Sequence, residues 1–352
     1  MKKMIKVLVI DDSALIRKIL THILSSDENI VVVGAARDPL EAREMIKQLH
    51  PDVLTLDVEM PRMDGLSFLE KLMSLRPMPV IMVSTRTERG AETTFRALEL
   101  GAVDFVAKPT TGLGTGLDAL RDEIVAKIKA AANVRPKAFR QARQKQRTSI
   151  PKSTEYQSGR LVVAIGASTG GVVALQQIIQ GLSAPCPGIL ITQHMPPGYT
   201  SRLAHRLNNL GTLQVAEASD GLAVLPGHAY IAPGGVHLEL GKRSGNYVCR
   251  LNDGPSVSGH KPSVDILFES VAVHAGDAAL GVILTGMGRD GADGLLKVRN
   301  AGGRTFGQDE QSCVVYGMPK AARMIGAVCV ERPVDRLASE IMKACTAPSR
   351  LG

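Results

Sequence analysis

Short apolar segments alternate with helical patterns throughout residues 1–133, and this alternation restricts the fold more than any other feature of the chain. The strand-like segments are residues 7–10, 31–33, 53–56, 80–83 and 103–107. The first helical pattern is the clearest, because Ser13 can cap it and Ile or Leu recurs on one face behind it. Strict β/α alternation indicates a parallel sheet with helices on both faces, so we expect an α/β domain here.

A second α/β pattern covers residues 159–347, with apolar runs at 188–192 and 279–284 among others. This part of the chain also contains two stretches in which apolar residues alternate with polar ones. They are Val236, Leu238 and Leu240, followed by Tyr247, Cys249 and Leu251. Residues 241–246 would join them as an antiparallel hairpin. The sequence thus predicts two doubly wound parallel-sheet α/β domains, the second with a hairpin.

Residues 134–158 separate the two patterns. This stretch is polar, rich in Gln, Arg and Lys, and without apolar periodicity, so we interpret it as a flexible linker. The chain has a net charge of +8, and residues 135–159 contain seven Lys or Arg residues but a single acidic one, Glu155. Because the excess charge lies in the linker, we expect no nucleic-acid partner. A solvated tether is the favoured interpretation, and contact with acidic partners or membrane headgroups is the alternative.

The composition is that of a water-soluble protein, with 44% hydrophobic and 22% charged residues. No run approaches 18 apolar residues, so we expect no membrane span. The first apolar segment ends in Asp11 and Asp12, which is typical of a strand rather than of a secretion signal. The five cysteines form no C-x-x-C pair, so we expect free thiols and a cytoplasmic location.

The segment Leu161–Gly171 has the pattern of a nucleophile elbow. Its apolar run ends in Gly166-Ala167-Ser168-Thr169-Gly170, which fits G-x-S-x-G, and a helical pattern follows. A sharp strand-to-helix turn of this kind exposes the Ser168 hydroxyl. Ser168 could instead cap the helix, or the glycines could bind a nucleotide. The lysine of a P-loop and the acidic residue of a dinucleotide site are both missing.

Two further polar residues follow predicted parallel strands of the same domain. His194 comes after the run 188–192, and Asp290 comes after the run 279–284. Strand ends of an open α/β sheet line one crevice, so we expect both residues to meet Ser168 there. A hydroxyl, an imidazole and a carboxylate are the groups of a serine-hydrolase triad. Each residue alone is more often structural, but three strand ends in one domain favour catalysis.

Five chemically active residues fall at strand ends of the first domain, namely Asp11, Asp12, Asp57, Ser84 and Lys108. Converging carboxylates repel one another unless a cation joins them, and a few oxygen ligands suit Mg²⁺. Such a site can bind a phosphoryl group, with Asp57 as acceptor, Lys108 pairing with its oxygens and Ser84 donating a hydrogen bond. A solvated acidic loop would not explain five such residues.

Residues 1–133 resemble a response-regulator receiver domain through VLVIDDS, LDVEMPRMDG, MVST and FVAKP. Residues 159–347 resemble the catalytic domain of the chemotaxis protein-glutamate methylesterases through AIGASTGG, ITQHMP, HKPSVDILF, GVILTGMGRDGADG and CVVYGMP. The resemblance implies a flavodoxin-like receiver followed by a Rossmann-like methylesterase domain. It also implies a phosphorylation-regulated serine hydrolase that demethylates methyl-glutamate on chemoreceptor cytoplasmic helices. Some members of the family also deamidate receptor glutamines, and hydrolysis there uses no cofactor.

The resemblance implies roles for individual receiver residues. A chemotaxis histidine kinase would phosphorylate Asp57. Mg²⁺ would be held by Asp11, Asp12, Asp57 and the backbone carbonyl of Glu59. The residues that respond to phosphorylation would be Ser84, Phe105 and Lys108.

In the second domain the resemblance implies a triad of Ser168, His194 and Asp290. The backbone N–H of Met287 would help to form the oxyanion hole, with Thr169 beside the nucleophile. The motif HKPSVD, which includes His260, is expected to shape the rim of the active site, and His260 is not expected to be the base. Arg289 is expected to tune substrate preference.

Of three other functions, two stay open from the residues alone. A receiver with a DNA-binding output would need a helix-turn-helix or a basic recognition face, and the second domain shows neither pattern. The alternatives that remain are a nucleotide-binding regulator that uses residues 166–171, and a receiver-controlled hydrolase of another carboxyl ester. Ester hydrolysis that a serine-reactive phosphonate blocks would exclude the regulators.

Overall fold

The structure, a computed structural model, describes residues 4–60, 64–84, 88–108, 116–134 and 161–346. The chain divides into two compact units, Met1–Arg143 and Gln144–Gly352. The predicted linker, residues 134–158, lies outside the described residues except for Val134. Within the described ranges, no helix is both long and apolar enough to cross a membrane.

The first unit contains a parallel sheet with helices between its strands. Its elements are β1 Ile5–Ile10, α1 Ala14–Ser25, β2 Ile30–Ala36, α2 Pro39–Leu49, β3 Val53–Asp57, α3 Gly65–Leu75, β4 Val80–Ser84, α4 Glu88–Leu100, β5 Asp104–Ala107 and α5 Gly116–Ala131. The strand order is β2-β1-β3-β4-β5, with every described pair parallel. This is the flavodoxin-like order, so the fold predicted from the alternation is confirmed.

Local sequence explains these elements. The inner strands are rich in buried Val, Ile and Leu because helices cover both faces of the sheet. The side chain of Ser13 accepts a hydrogen bond from the backbone N–H of Ile16 over 3.4 Å, which confirms the predicted cap of α1. The chain changes direction across the sheet at β1 and β3. Asp11 and Asp57 therefore lie at the switch point where α/β sheets bind ligands.

The second unit is built on a larger parallel sheet. The strands of this unit, which include the separate pair β10 and β11, are β6 Val162–Ala167, β7 Gly188–Gln193, β8 Gln214–Glu217, β9 His228–Ile231, β10 His237–Arg243, β11 Asn246–Asn252, β12 Ala279–Ile283, β13 Arg304–Gln308 and β14 Val330–Arg332. Its helices are α6 Gly171–Gly181, α7 Thr200–Asn208, α8 Val264–Ala275, α9 Ala292–Asn300, α10 Met318–Met324 and α11 Val334–Thr346. The seven parallel strands run in the order β14-β13-β12-β6-β7-β9-β8, so β6 lies between β7 and β12 at the switch point.

The strands β10 and β11 form the predicted antiparallel hairpin, with Leu238 opposite Leu251 and Leu240 opposite Cys249. The predicted connection, residues 241–246, was too long, since only Ser244 and Gly245 join the strands. Both residues have positive φ angles, 50° and 81°, as two-residue hairpin turns require. The end of β10 is exposed to solvent and therefore carries polar residues. These residues interrupt the apolar alternation, so the sequence pattern placed the end of the strand too early.

One hydrophobic core cluster joins the hairpin, the sheet and the three helices α8, α9 and α10 of the second unit. It includes Leu240 of β10, Ala164 of β6, Phe268 of α8 and Leu295 of α9, all of them buried. Helix α8 thereby packs with its first turn close to β6 and the residues that precede α9. The five cysteines of this unit have free thiols, as predicted.

Candidate active site

Ser168 lies one residue beyond β6, in the turn that leads to α6. The strands β6 and β7 pair through Ala167 and Gln193, so Ser168 and His194 leave neighbouring strands at the same level. The backbone N–H of His194 donates to the carbonyl of Ala167 over 3.0 Å. The side-chain amide of Gln193 donates to the carbonyl of Ser168 over 3.0 Å. The end of β7 therefore holds both the nucleophile turn and the histidine.

The turn after Ser168 requires glycine at two positions. Gly170 has a φ angle of 78°, in the left-handed region that favours glycine. A Cβ atom on Gly171 would lie 2.1 Å from Oε1 of Gln193. Helix α6 begins at Gly171 with Gly170 as its N-cap, so the alternative that Ser168 caps the helix is wrong.

Thr169 and the end of β12 fix the other side of this turn. The hydroxyl of Thr285 donates to the carbonyl of Thr169 over 2.9 Å, and the N–H of Ser168 donates to the carbonyl of Thr285 over 3.1 Å. Thr169 is itself buried. The Ser168 turn is therefore hydrogen-bonded to the ends of both neighbouring strands, β7 and β12.

The imidazole of His194 is hydrogen-bonded to Asp290, with 2.7 Å between Nε2 and Oδ2. Asp290 is buried in the loop between β12 and α9. Its carboxylate also accepts hydrogen bonds from the Ser263 hydroxyl at 2.7 Å and from the N–H groups of Val264 at 2.7 Å and Asp265 at 3.1 Å. These two N–H groups belong to the first turn of α8, where the helix dipole favours an anion.

The charge of Asp290 follows from these contacts. Burial by itself raises the pKa of the Asp290 carboxyl, but the hydrogen bond and charge of His194 outweigh it, together with Val264 and Ser263. The pKa therefore lies well below its usual range, and the ionised carboxylate accepts a hydrogen bond that Nε2–H of His194 donates. Among the described residues, the buried Nδ1 atom of His194 has no hydrogen-bond partner. Nδ1 is therefore not hydrogen-bonded to Ser168 in this structure, and it is the ring nitrogen that the predicted triad would use as its base.

The loop that carries the predicted oxyanion donor passes beside the nucleophile. The N–H of Gly286 donates to the carbonyl of Val315 over 3.0 Å, and the carbonyl of Gly286 accepts from the N–H of Met318 over 2.9 Å. A Cβ atom on Gly286 would lie 2.7 Å from Cβ of Ser168. These bonds fix the peptide between Gly286 and Met287, whose N–H is the predicted donor.

Arg289, expected to tune substrate preference, forms two hydrogen bonds to the carboxylate of Asp293, at 2.9 and 2.8 Å. Its guanidinium is largely exposed, one residue before Asp290. In this structure the Arg289 side chain is therefore bound to the first turn of α9.

Several residues that contact the predicted triad residues, directly or through one neighbour, were missed or given a lesser role in the sequence analysis. Ser263, expected only to shape the rim, donates to Asp290 as described above. The buried His237 accepts a hydrogen bond at Nδ1 from the N–H of Ser263 over 3.1 Å and binds the carbonyl of Pro255 through Nε2 over 2.9 Å. A serine directly before a helical pattern was the available signal, although it would have suggested only a helix cap.

The predicted phosphoryl site of the first unit also comes together. Ligand atoms of Asp11, Asp12 and Asp57 lie within 4.8 Å of one another. Nζ of Lys108 lies 2.8 Å from Oδ2 of Asp57 and 3.0 Å from Oδ2 of Asp11. Burial raises the pKa of Asp57 to about 6, against the hydrogen bond from Lys108. Two buried carboxylates beside a single ammonium are a donor set that a divalent cation would stabilise.

The other predicted receiver residues lie at the ends of neighbouring strands or within them. Ser84 is buried at the end of β4, and its hydroxyl donates to the carbonyl of Gly90 over 3.1 Å. Phe105 is buried in β5, with Nζ of Lys127 5.3 Å from its ring centroid. The N–H of Glu59 donates to Oδ1 of Asp57 over 3.2 Å, so the chain after β3 bends back toward the acceptor.

Comparisons with known proteins agree with this arrangement. The CheB methylesterase family matches residues 163–341, and the response regulator receiver domain matches residues 7–114. A Nitrosomonas europaea protein named protein-glutamate methylesterase/protein-glutamine glutaminase is 54% identical over 345 residues, which cover 97% of this chain and 96% of that protein. An Escherichia coli protein of the same name is 51% identical over 346 residues, 97% of each chain.

A solved structure gives the same result for the second unit. The crystal structure of the Thermotoga maritima CheB methylesterase catalytic domain matches with a TM-score of 0.52 and 39% identity, over 53% of this chain and 99% of that one. The fold class, the family and the hydrolase function predicted from the motifs are confirmed, and the alternative functions are not favoured. The chain therefore belongs to the CheB methylesterase family and carries a response regulator receiver domain ahead of its catalytic domain.

Proposed function

We propose that this chain hydrolyses methyl esters of glutamate side chains on the cytoplasmic helices of methyl-accepting chemoreceptors, with Ser168 as the nucleophile. Glutamine side chains at such sites are a second substrate. The observation that carries this proposal is the 2.7 Å hydrogen bond between His194 and Asp290, at a strand end next to the Ser168 turn. It leaves Nδ1 of His194 as the proton acceptor.

Acylation follows from this geometry. The Ser168 oxygen attacks the γ-carbonyl carbon of the ester while its proton passes to Nδ1 of His194. Asp290, ionised and held by the donors of α8, stabilises the imidazolium that forms. The N–H of Met287 donates to the oxyanion of the tetrahedral intermediate. The bond to the methoxy oxygen then breaks, and methanol leaves with the proton from His194.

Deacylation reverses the proton movements. Water attacks the acyl carbon, His194 accepts a proton from it, and the Ser168 oxygen leaves with that proton. A glutamate carboxylate is released. When the substrate is glutamine, ammonia takes the place of methanol as the leaving group, and the acyl-enzyme is the same. The groups named here suffice for hydrolysis without a cofactor.

The receiver would control this reaction through Asp57. A chemotaxis histidine kinase is the phosphodonor in this proposal: the carboxylate attacks phosphorus, and the bond from phosphorus to the kinase histidine breaks. The carboxylates of Asp11, Asp12 and Asp57 lie close enough together to hold Mg²⁺. The family resemblance adds the backbone carbonyl of Glu59 as a further ligand, and the bound ion would neutralise charge on the phosphoryl oxygens. Lys108 would pair with one of these oxygens.

Ser84 supplies the link from the phosphoryl group to the rest of the receiver. Its hydroxyl donates to the carbonyl of Gly90 in α4. A hydrogen bond to the phosphoryl group requires this hydroxyl to leave Gly90, so phosphorylation alters a contact of α4. Receptor helices and kinase meet the enzyme in the cytoplasm, which is the location we propose.

The test uses the purified full chain and membranes that carry methylated chemoreceptors. We expect methanol release that a serine-reactive phosphonate abolishes. Acetyl phosphate with Mg²⁺ should raise the rate within the range typical of coupled sites, about 5- to 150-fold. An absence of methanol release would contradict the proposed reaction, and release that resists the phosphonate would contradict the serine mechanism. A rate that acetyl phosphate does not change would contradict regulation by the receiver.

A further inference from the structure

The imidazole of His260 lies flat against the imidazole of His194. The two ring centroids are 3.7 Å apart and the ring planes differ by 12°. The side chain of His194 is only 8% exposed, and its Nε2 atom is bonded to Asp290. A second aromatic ring therefore covers one face of the proposed base, although the sequence motif suggested only a role at the rim.

A tight turn presents His260 to this position. The N–H of His260 donates to the carbonyl of Val257 over 2.9 Å, and the N–H of Val257 donates to the carbonyl of His260 over 3.1 Å. Between them, Ser258 and Gly259 have φ angles of 53° and 79°. Two successive positive φ angles inside a reciprocally bonded pair are typical of a type I′ turn, which is stiff.

The residue after His260 anchors the turn to the body of the domain. Nζ of Lys261 lies 2.6 Å from Oδ1 of Asp253, and the carbonyl of Lys261 accepts from the N–H of Gly235 over 3.2 Å. The backbone on both sides of His260 is thus bonded. The backbone position of His260 is therefore fixed by contacts other than the stack with His194.

A general base must hold both its position and its ring plane. The hydrogen bond to Asp290 fixes the Nε2 edge of His194 but leaves the ring able to tilt about that edge, which would move Nδ1 away from the serine proton. A parallel ring on its face opposes such tilting. It also offers an aromatic face to the imidazolium that exists during each proton transfer, an arrangement that stabilises cations.

We propose that His260 is a positioning residue for His194, holding the ring plane of the base and stabilising its imidazolium form through stacking. The proposal rests on the roles proposed above for Ser168 and His194. It requires a flat ring at position 260, and it assigns no proton transfer to His260. Because stacking acts when the proton moves, it should affect kcat more than KM.

The experiment compares full-length variants His260→Ala and His260→Phe with the unaltered chain, using a peptide with a γ-methyl glutamate residue. His228→Ala is the matched control, because His228 also lies parallel to an aromatic ring, that of Tyr230, at 6.2 Å. We expect His260→Ala to lower kcat about 2- to 30-fold with KM nearly unchanged. His260→Phe should recover most of the loss, and His228→Ala should be unaffected.

A second readout separates this proposal from the one on which it rests. The rate at which a fluorophosphonate labels Ser168 reports activation of the nucleophile without any receptor substrate, and it should fall in His260→Ala in parallel with kcat. Equal kcat values for His260→Ala and the unaltered chain would overturn the positioning role, as would His260→Phe being as slow as His260→Ala. Failure of the unaltered chain to be labelled at Ser168 would instead refute the proposed nucleophile.

Discussion

The backbone N–H of Asp265 donates to Oδ1 of Asp290 over 3.1 Å, and the pKa values of the two buried carboxyl groups are shifted in opposite directions. Burial raises the pKa of Asp265, and the nearby charge of Asp290 raises it further, whereas the pKa of Asp290 is lowered despite its burial. The difference arises because His194 and the donors before and within α8 converge on Asp290. The negative charge thus stays on the carboxylate that is hydrogen-bonded to His194.

This relationship predicts a pH-dependent effect of Asp265→Asn on stability. The raised pKa, about 6 instead of 3.8, means that the folded state binds the Asp265 proton more tightly than the unfolded state. The free energy of unfolding of the native chain therefore falls as the pH rises from 3.8 through about 6. The neutral amide avoids this loss and can still accept from the N–H of Gly294, as the carboxylate does at 2.7 Å.

We expect the free energy of unfolding of Asp265→Asn to exceed that of the unaltered chain by about 1–3 kcal/mol at pH 7.5. The difference should shrink by pH 5. Urea unfolding of the catalytic domain within the full chain, followed at both pH values, measures it. A difference of the same size at both values would contradict the assignment of the proton to Asp265.

Removal of the nucleophile or the base should abolish turnover without unfolding the protein. Ser168→Ala and His194→Ala should each lower methanol release by about 10⁴–10⁶, because triad members act as a unit. The double variant should be no slower than either single variant. Circular dichroism checks that the fold is retained, and substantial methanol release by Ser168→Ala would refute the triad.

Asp290→Asn should cost about 10⁴ in kcat, since an amide cannot hold the Nε2–H tautomer of His194. Ser263→Ala provides a graded comparison. It removes one of the hydrogen bonds to the Asp290 carboxylate while leaving the charge in place. A loss of about 5- to 30-fold is expected for Ser263→Ala. If the two variants had equal activity, orientation of His194 by Asp290 could not be the main effect.

Gly166→Ala should damage the site through Val264. A Cβ atom on Gly166 would lie 2.1 Å from Cγ1 of Val264, whose N–H binds Asp290. We expect a loss of about 1–3 kcal/mol in unfolding free energy, together with lower kcat. Val264→Ala in the same chain removes the colliding methyl groups, so the double variant should be more stable and more active than the sum of the single effects predicts. Strictly additive losses would argue against the steric cause.

Asp57→Asn should eliminate acid-labile phosphate incorporation from acetyl phosphate and Mg²⁺. Asp64→Asn is the matched control, because the side chain of Asp64 accepts a hydrogen bond from the N–H of Ser67 at the start of α3, and Asn caps helices equally well. Mass spectrometry of the intact chain measures the phosphoryl group. Undiminished incorporation in Asp57→Asn would show that another residue is the acceptor.

The sequence by itself determined the parts of this protein that depend on local patterns. Alternating apolar segments predicted the strands of the first unit, since a strand buried on both faces must be continuously apolar. The G-x-S-x-G turn marked Ser168, and the acidic residues at the ends of β1 and β3 marked the candidate phosphoryl site. His194 and Asp290 were found because parallel strand ends always meet at one edge of a sheet.

Only the tertiary structure decided how these residues are held. The donors that lower the pKa of Asp290, the ring of His260 on His194 and the bond from Nε2 of His194 to Asp290 all join segments far apart in the chain. None of them leaves a periodic signal, because each depends on where the first turn of α8 lies after it packs between the sheet and the hairpin. Sequence patterns record which face of an element is buried, whereas the direction of a single side chain is set by neighbours that only the folded chain brings together.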